Sequence, residues 1–144
     1  MPLLLDESQV RELITMPELI AAMEGALAAF SAGSVKQPVR TVIEVGDHAF
    51  FGLMPAYAAS PAVLGAKLVT VYHSNLARGL PSHLGTIVLL DPETGALAAI
   101  LDGRYITEAR TAAVSAVSVK KLARPGAAIP GQFGPMIRAP RSFA

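Results

Sequence analysis

The chain has 144 residues, 52% of them apolar and 16% charged, with a net charge of +1 and no cysteine. That length fits one domain with a real hydrophobic core, and a charged share below the usual level of about a quarter predicts surface hidden against another subunit. The balanced charge, with no basic block, argues against nucleic acid, and the lack of cysteine excludes disulfides, thiolate metal sites and a cysteine nucleophile.

The first residues, MPLLLDESQV, lack the basic region and longer apolar stretch of a signal peptide. Asp6 and Gln9 have the spacing of a capping box, which predicts a helix over 7–14. Thr15 and Glu18 repeat that signal, and Pro17 falls in the first turn, where proline is tolerated. Leu19, Ile20, Met23, Leu27 and Phe30 then form one helical stripe, and Gly33 ends the helix. From there the pattern changes to alternation and short apolar runs. Residues 41–45, a Gly46–Asp47 turn and residues 49–54 read as a hairpin, and 66–72 as a strand rich in β-branched residues. Residues 86–90, the turn DPETG and residues 96–101 form a second hairpin. A long helix over 105–123 follows. Helices, then strands, then a helix predict an α+β domain with a mixed, mostly antiparallel sheet. The segment 126–144 carries Pro130, Pro135 and Pro140 and is expected to be irregular. No apolar run approaches the roughly 20 residues of a membrane span, so the expected setting is the cytoplasm, with no membrane partner.

Several polar side chains stand in apolar or strand-like surroundings. Arg40 begins a strand, Lys67 lies within a strand that should be largely buried, and Ser82 and His83 precede the strand TIVLL. Arg110 sits in a helix of alanines, threonines, serines and valines. Two guanidinium forks and an ammonium could converge on a carboxylate or phosphate, with Ser82 and His83 as nearby donors. Plainer readings stay open on spacing alone. Arg40 fits a solvated strand end, Lys67 a snorkelling side chain, His83 a hydrogen-bonded core histidine, and Arg110 a partner of Glu108. His48 and His73 are given no role, and no histidine or carboxylate spacing matches a metal site.

Five separated motifs, QPVRT (37–41), MPAY (54–57), GAKLVTVY (65–72), GLPSHLGTIVLLDPETGALAAILDG (79–103) and ITEARTAAVSAVSVKKLA (106–123), resemble the N-terminal half of the ornithine cyclodeaminase/mu-crystallin family. MPAY and PSH are more similar to its mu-crystallin branch. The resemblance implies an NAD- or NADP-dependent protein of two domains. The first half would carry a substrate pocket and a sheet that forms a homodimer, and the second would be a Rossmann domain. The implied chemistry is that of ornithine cyclodeaminases, ketimine reductases and amino-acid dehydrogenases: hydride transfer at the carbon bearing the amine or imine.

Carried over by motif, Arg40, Lys67 and Arg110 would bind the carboxylate of a small amino-acid-like ligand. Lys67, near the reacting carbon, would also be catalytic. Ser82, His83, Arg110 and Thr111 would lie beside the cofactor. Met54 stands near the place where true ornithine cyclodeaminases carry an acidic residue, which argues against ornithine. Beyond residue 125 the family continues with a strand and a glycine-rich fingerprint, whereas here Pro130 falls where the strand is expected. The sequence thus reads as a substrate-binding and dimerisation domain over 1–125 with an irregular tail over 126–144. It reads as a truncated member without its Rossmann domain, frame-shifted near codon 125 and inactive alone. The alternative is a non-enzymatic, dimerising carboxylate-binding module of mu-crystallin type.

Overall fold

A strand that the local pattern does not announce, β1 (Leu3–Leu5), opens the computed structural model, which describes residues 1–124. The irregular tail expected over 126–144 lies outside the described residues. Helix α1 (Glu7–Leu13) starts as predicted. The Asp6 carboxylate accepts the Gln9 N–H at 2.9 Å, and the Gln9 side chain accepts the Asp6 N–H at 3.0 Å. Helix α2 (Met16–Ser31) begins at Thr15, but here the second capping signal acts differently: the Thr15 hydroxyl donates to the Glu18 carboxylate, and no side chain caps a backbone N–H. Gly33 takes φ +73°, the left-handed conformation that favours glycine, and ends the helical path.

Seven strands form one sheet in the order β1-β7-β6-β5-β4-β2, with β3 also pairing β4. The members are β2 (Val35–Lys36), β3 (Thr41–Gly46), β4 (Ala49–Ala59), β5 (Ala62–Tyr72), β6 (His83–Leu90) and β7 (Leu97–Asp102). Only β1 and β7 run parallel, so the sheet is mixed and mostly antiparallel. The β3–β4 turn is Asp47–His48 rather than Gly46–Asp47. A register shift between Glu44 and Gly46 uses up one residue, and His48 adopts φ +51°. Strand β4 also runs five residues past its expected end at Met54, through Pro55. Proline fits there because one edge of β4 is open at that point: β3 pairs no further than Leu53, and β2 joins only at Tyr57. The DPETG turn closes on the Asp91 carboxylate, which accepts the N–H groups of Glu93 and Thr94 at 2.9 and 2.8 Å.

Helix α3 (Arg104–Leu122) follows β7 directly. Its start presses on β6 through two glycines: a Cβ on Gly103 would stand 3.0 Å from the Gly85 carbonyl carbon, and one on Gly85 would stand 3.2 Å from that of Gly103. Ala109, Ala113 and Val117, four apart, are its buried stripe, and α2 packs along it. The stripe predicted on α2 is only partly covered, with Leu27 and Phe30 39% and 54% exposed. Among the described residues no large side chain is fully buried, and Val42, Ile43 and Val45 of β3 are each more than half exposed. Among the described residues no single helix is long and apolar enough to cross a membrane.

Glu24 of α2 holds the last turn of α3 by pairing Lys120 at 2.8 Å and Lys121 at 2.6 Å. The hydrogen bonds from these two lysines pull its pKa down from 4.5 to about 2. A carboxylate with a lowered folded pKa binds fewer protons folded than unfolded. Its contribution is therefore complete above about pH 4.5 and is lost as pH falls through about 2. Glu24→Gln is expected to lower the melting temperature slightly at pH 7, with the difference shrinking as pH falls from about 4.5 toward about 2, read by circular dichroism.

Candidate functional site

Lys67 sits at the middle of the sheet, on β5 between β4 and β6, with Met54 and Ile87 as its cross-strand partners. Paired residues share a face, so Met54, Lys67, Ile87 and Leu101, the partner of Ile87, form one row. The lysine is half-buried rather than largely buried. Burial, and then the positive charge of Arg110, push its pKa below the usual lysine value. The charge of Arg110, carried on α3, is thus felt at Lys67 on β5.

Arg110 is exposed on the second turn of α3. The plain pairing with Glu108 does not form; Glu108 instead lies 3.8 Å from Arg104, which also reaches Glu7 at 3.6 Å. Arg40 precedes β3, which starts at Thr41 rather than at the arginine itself. Thr41 pairs Leu53, so Arg40 stands beside the Met54 end of the Lys67 row, two strands away, or about 10 Å. Among the described residues, no carboxylate lies within salt-bridge distance of Arg40, Lys67 or Arg110. Three cations bordering one face without an acidic partner make a place for an anion.

The same face continues from Lys67 in two directions. Toward β2 it becomes an open concavity of about 250 Å³ whose lining includes Val35, Met54, Ala58, Val63, Lys67 and Leu89, with the lysine as the only charged member. In the other direction lie the pairs Gly52–Val69, Phe50–Val71 and Val71–His83. His83 is the first residue of β6 and exposed, and stands four residues, about 13 Å, along the strands from the Lys67 row. Ser82 is half-buried, and its carbonyl accepts the Tyr72 N–H at 2.8 Å. Thr111 is exposed and adjoins Arg110; its hydroxyl donates to the Thr107 carbonyl at 2.7 Å, leaving its oxygen free to accept.

Arg40 therefore stands at the edge of the Lys67 row and His83 at the far end of the same face, with the charge of Arg110 reaching Lys67 from α3. One residue near this site escaped the sequence reading. Asn75, in the 3₁₀ turn His73–Arg78, is only 8% exposed, and its side-chain amide donates to the Pro81 carbonyl at 3.0 Å. Its signal was faint: an asparagine a few residues before the Gly79–Pro81 punctuation, where side-chain amides commonly tie turns.

The family model for the ornithine cyclodeaminase/mu-crystallin family matches residues 1–139. The Mus musculus ketimine reductase mu-crystallin is 49% identical over 112 residues, 75% of this chain and 36% of the relative. The structure of the Thermococcus litoralis Delta(1)-pyrroline-2-carboxylate reductase in complex with NADH and L-proline aligns with a TM-score of 0.80 at 44% identity, covering 85% of this chain and 38% of that one. An archaeal alanine dehydrogenase dimer with bound NAD aligns with a TM-score of 0.80 at 32% identity, again over 85% and 38%. The chain thus spans a little over a third of the length of these relatives. With the sheet, the helices and the family model in agreement, this chain belongs to the ornithine cyclodeaminase/mu-crystallin family.

Proposed function

We propose that this chain forms the substrate-binding part of an NAD(P)-dependent imine reductase or amino-acid dehydrogenase. The observation that carries the reading is the Lys67–Arg110 pair: two like charges held close enough to perturb one another, with no carboxylate of the described residues to neutralise them. An apolar sheet face with such a pair at its centre suits a small ligand with one carboxylate and a hydrocarbon body, as a cyclic imino acid has. Arg110 and Arg40 clamp the carboxylate, and Lys67 binds it from below. Fixing that group orients the adjacent carbon for reaction, an effect of position.

The dinucleotide, when bound, supplies the hydride to the carbon bearing the nitrogen. Donors that suit its nicotinamide end are the His83 ring on the same face, the Ser82 hydroxyl beside it at the strand end, and Arg110 with Thr111 on α3. Lys67 is the proton-bearing group nearest the reacting carbon, and its lowered pKa brings its proton exchange closer to neutrality. The exposed apolar strand β3 fits a contact with a second copy, making the working unit a homodimer.

Titrating the 144-residue chain with L-proline while following backbone amide signals tests this reading. Saturable shifts at Lys67 and Arg110 are expected. The same chain is expected to oxidise no NADH when given Delta(1)-pyrroline-2-carboxylate, because its sequence holds no glycine-rich fingerprint to cradle a pyrophosphate. Amide signals that stay still at saturating L-proline would refute the carboxylate site.

A further inference from the structure

We infer that Asn75 is a positioning residue that sets Ser82 and His83 against the nicotinamide end of the dinucleotide. The inference rests on the function proposed above. Among the described residues Asn75 is the one buried polar or charged side chain. A buried amide is costly unless it is hydrogen-bonded, and an aliphatic side chain of similar size would fill the same space without that cost. What the amide adds is direction.

The Asn75 Nδ2 donates to the Pro81 carbonyl at 3.0 Å, and the backbone carbonyl of Asn75 separately accepts the Leu80 N–H at 3.0 Å. One residue on, the Ser82 carbonyl accepts the Tyr72 N–H at 2.8 Å. Gly79 turns the chain between them at φ +69°. The segment 73–82 is thereby closed at two successive points, Asn75 to Pro81 and Tyr72 to Ser82. The second holds the strand end; within the turn the Gly79 and Leu80 N–H groups close on the backbone carbonyls of Leu76 and Asn75, and the Asn75 side chain reaches past them to Pro81, the residue that leads into Ser82 and His83. His83 shares its face with Val71 and, further along, with Lys67. Asn75 therefore controls the spacing between the donors at the strand ends and the cations at the centre, without touching a ligand itself. Apolar packing adds little to the turn, with Leu76 and Leu80 70% and 50% exposed.

The test uses the whole 144-residue chain, with millimolar NADH and L-proline as separate probes and amide signals as the readout. Asn75→Asp keeps the shape and loses the donor, and Asn75→Ala loses both. NADH is expected to move the Ser82 and His83 signals of the unaltered chain, with an apparent affinity falling about tenfold or more in both variants. L-Proline affinity should stay within about twofold, because Lys67 and Arg110 lie on other elements. A role in folding alone would weaken both probes together and would overturn the inference. So would NADH shifts that persist in both variants, or that are missing from Ser82 and His83 in the unaltered chain. If L-proline fails to bind while the NADH response still depends on Asn75, the carboxylate pocket is wrong and the role of Asn75 stands.

Discussion

Arg110→Ala is expected to weaken L-proline binding by about 2 kcal/mol, roughly 30-fold, the usual scale for a charge-assisted hydrogen bond. The same variant changes the response to pH in a definite direction. In the free chain, burial and the Arg110 charge lower the Lys67 pKa; a bound carboxylate raises it. Binding therefore takes up protons above the free Lys67 pKa, and affinity falls as pH rises through that value. Cyclopentanecarboxylate suits this measurement, since it keeps a five-membered ring and a carboxylate but has no amine to titrate. Removing Arg110 leaves burial as the cause of the lowered pKa, so the fall in affinity should move to higher pH. Folding obeys the same rule with its own sign: Lys67 holds its proton less well folded than unfolded, so stability rises with pH between its lowered pKa and 10.5. Equal affinity and an unmoved pH profile in the variant would separate Arg110 from the ligand.

Gly85→Val should disturb the junction between β6 and the start of α3. A Cβ at Gly85 already meets the Gly103 carbonyl carbon and oxygen at 3.2 and 3.3 Å, which a small adjustment can relieve. Two further methyl groups cannot be placed without moving the start of α3 off the sheet. Overpacking of this kind costs about 1–3 kcal/mol, a fall of several degrees in melting temperature for a chain of this size. Because Arg110 rides on α3 while Lys67 stays on β5, the displacement also separates the two cations. L-Proline binding is expected to drop with the melting temperature, whereas Gly85→Ala should lose part of each. A valine variant that melts and binds like the unaltered chain would show that the two glycines do not set the height of the helix.

These consequences trace to how differently the parts of the fold declare themselves in the sequence. The capping box at Asp6 and Gln9, the DPETG turn and the glycine at position 33 are local devices, and each is present as read. The parallel strand β1 is not local. Three leucines carry no register of their own, and only β7, distant in sequence, makes them a strand. Pro55 likewise argues against a central strand until the gap between β2 and β3 is known. At the candidate site, residue type and motif single out Arg40, Lys67 and Arg110, but spacing cannot distinguish an anion site from ordinary surface ion pairs. That distinction needs the position of Glu108, which faces Arg104. Asn75 was passed over because its importance lies in its burial and its bond to Pro81, neither of which has a sequence pattern.

The parallel pairing of Leu3–Leu5 with Ala99–Leu101 also governs the order in which the chain can assemble. Hairpins β4–β5 and β6–β7 join near neighbours and can close early. The N-terminal strand has no partner until β7 is in place, and Glu24 must wait for Lys120, 96 residues further on. Contacts of such long sequence separation slow folding, because loop entropy is lost before they form. On a ribosome, the first thirty residues would therefore leave the tunnel with an uncovered apolar helix face, and would remain so until the last helix had been made.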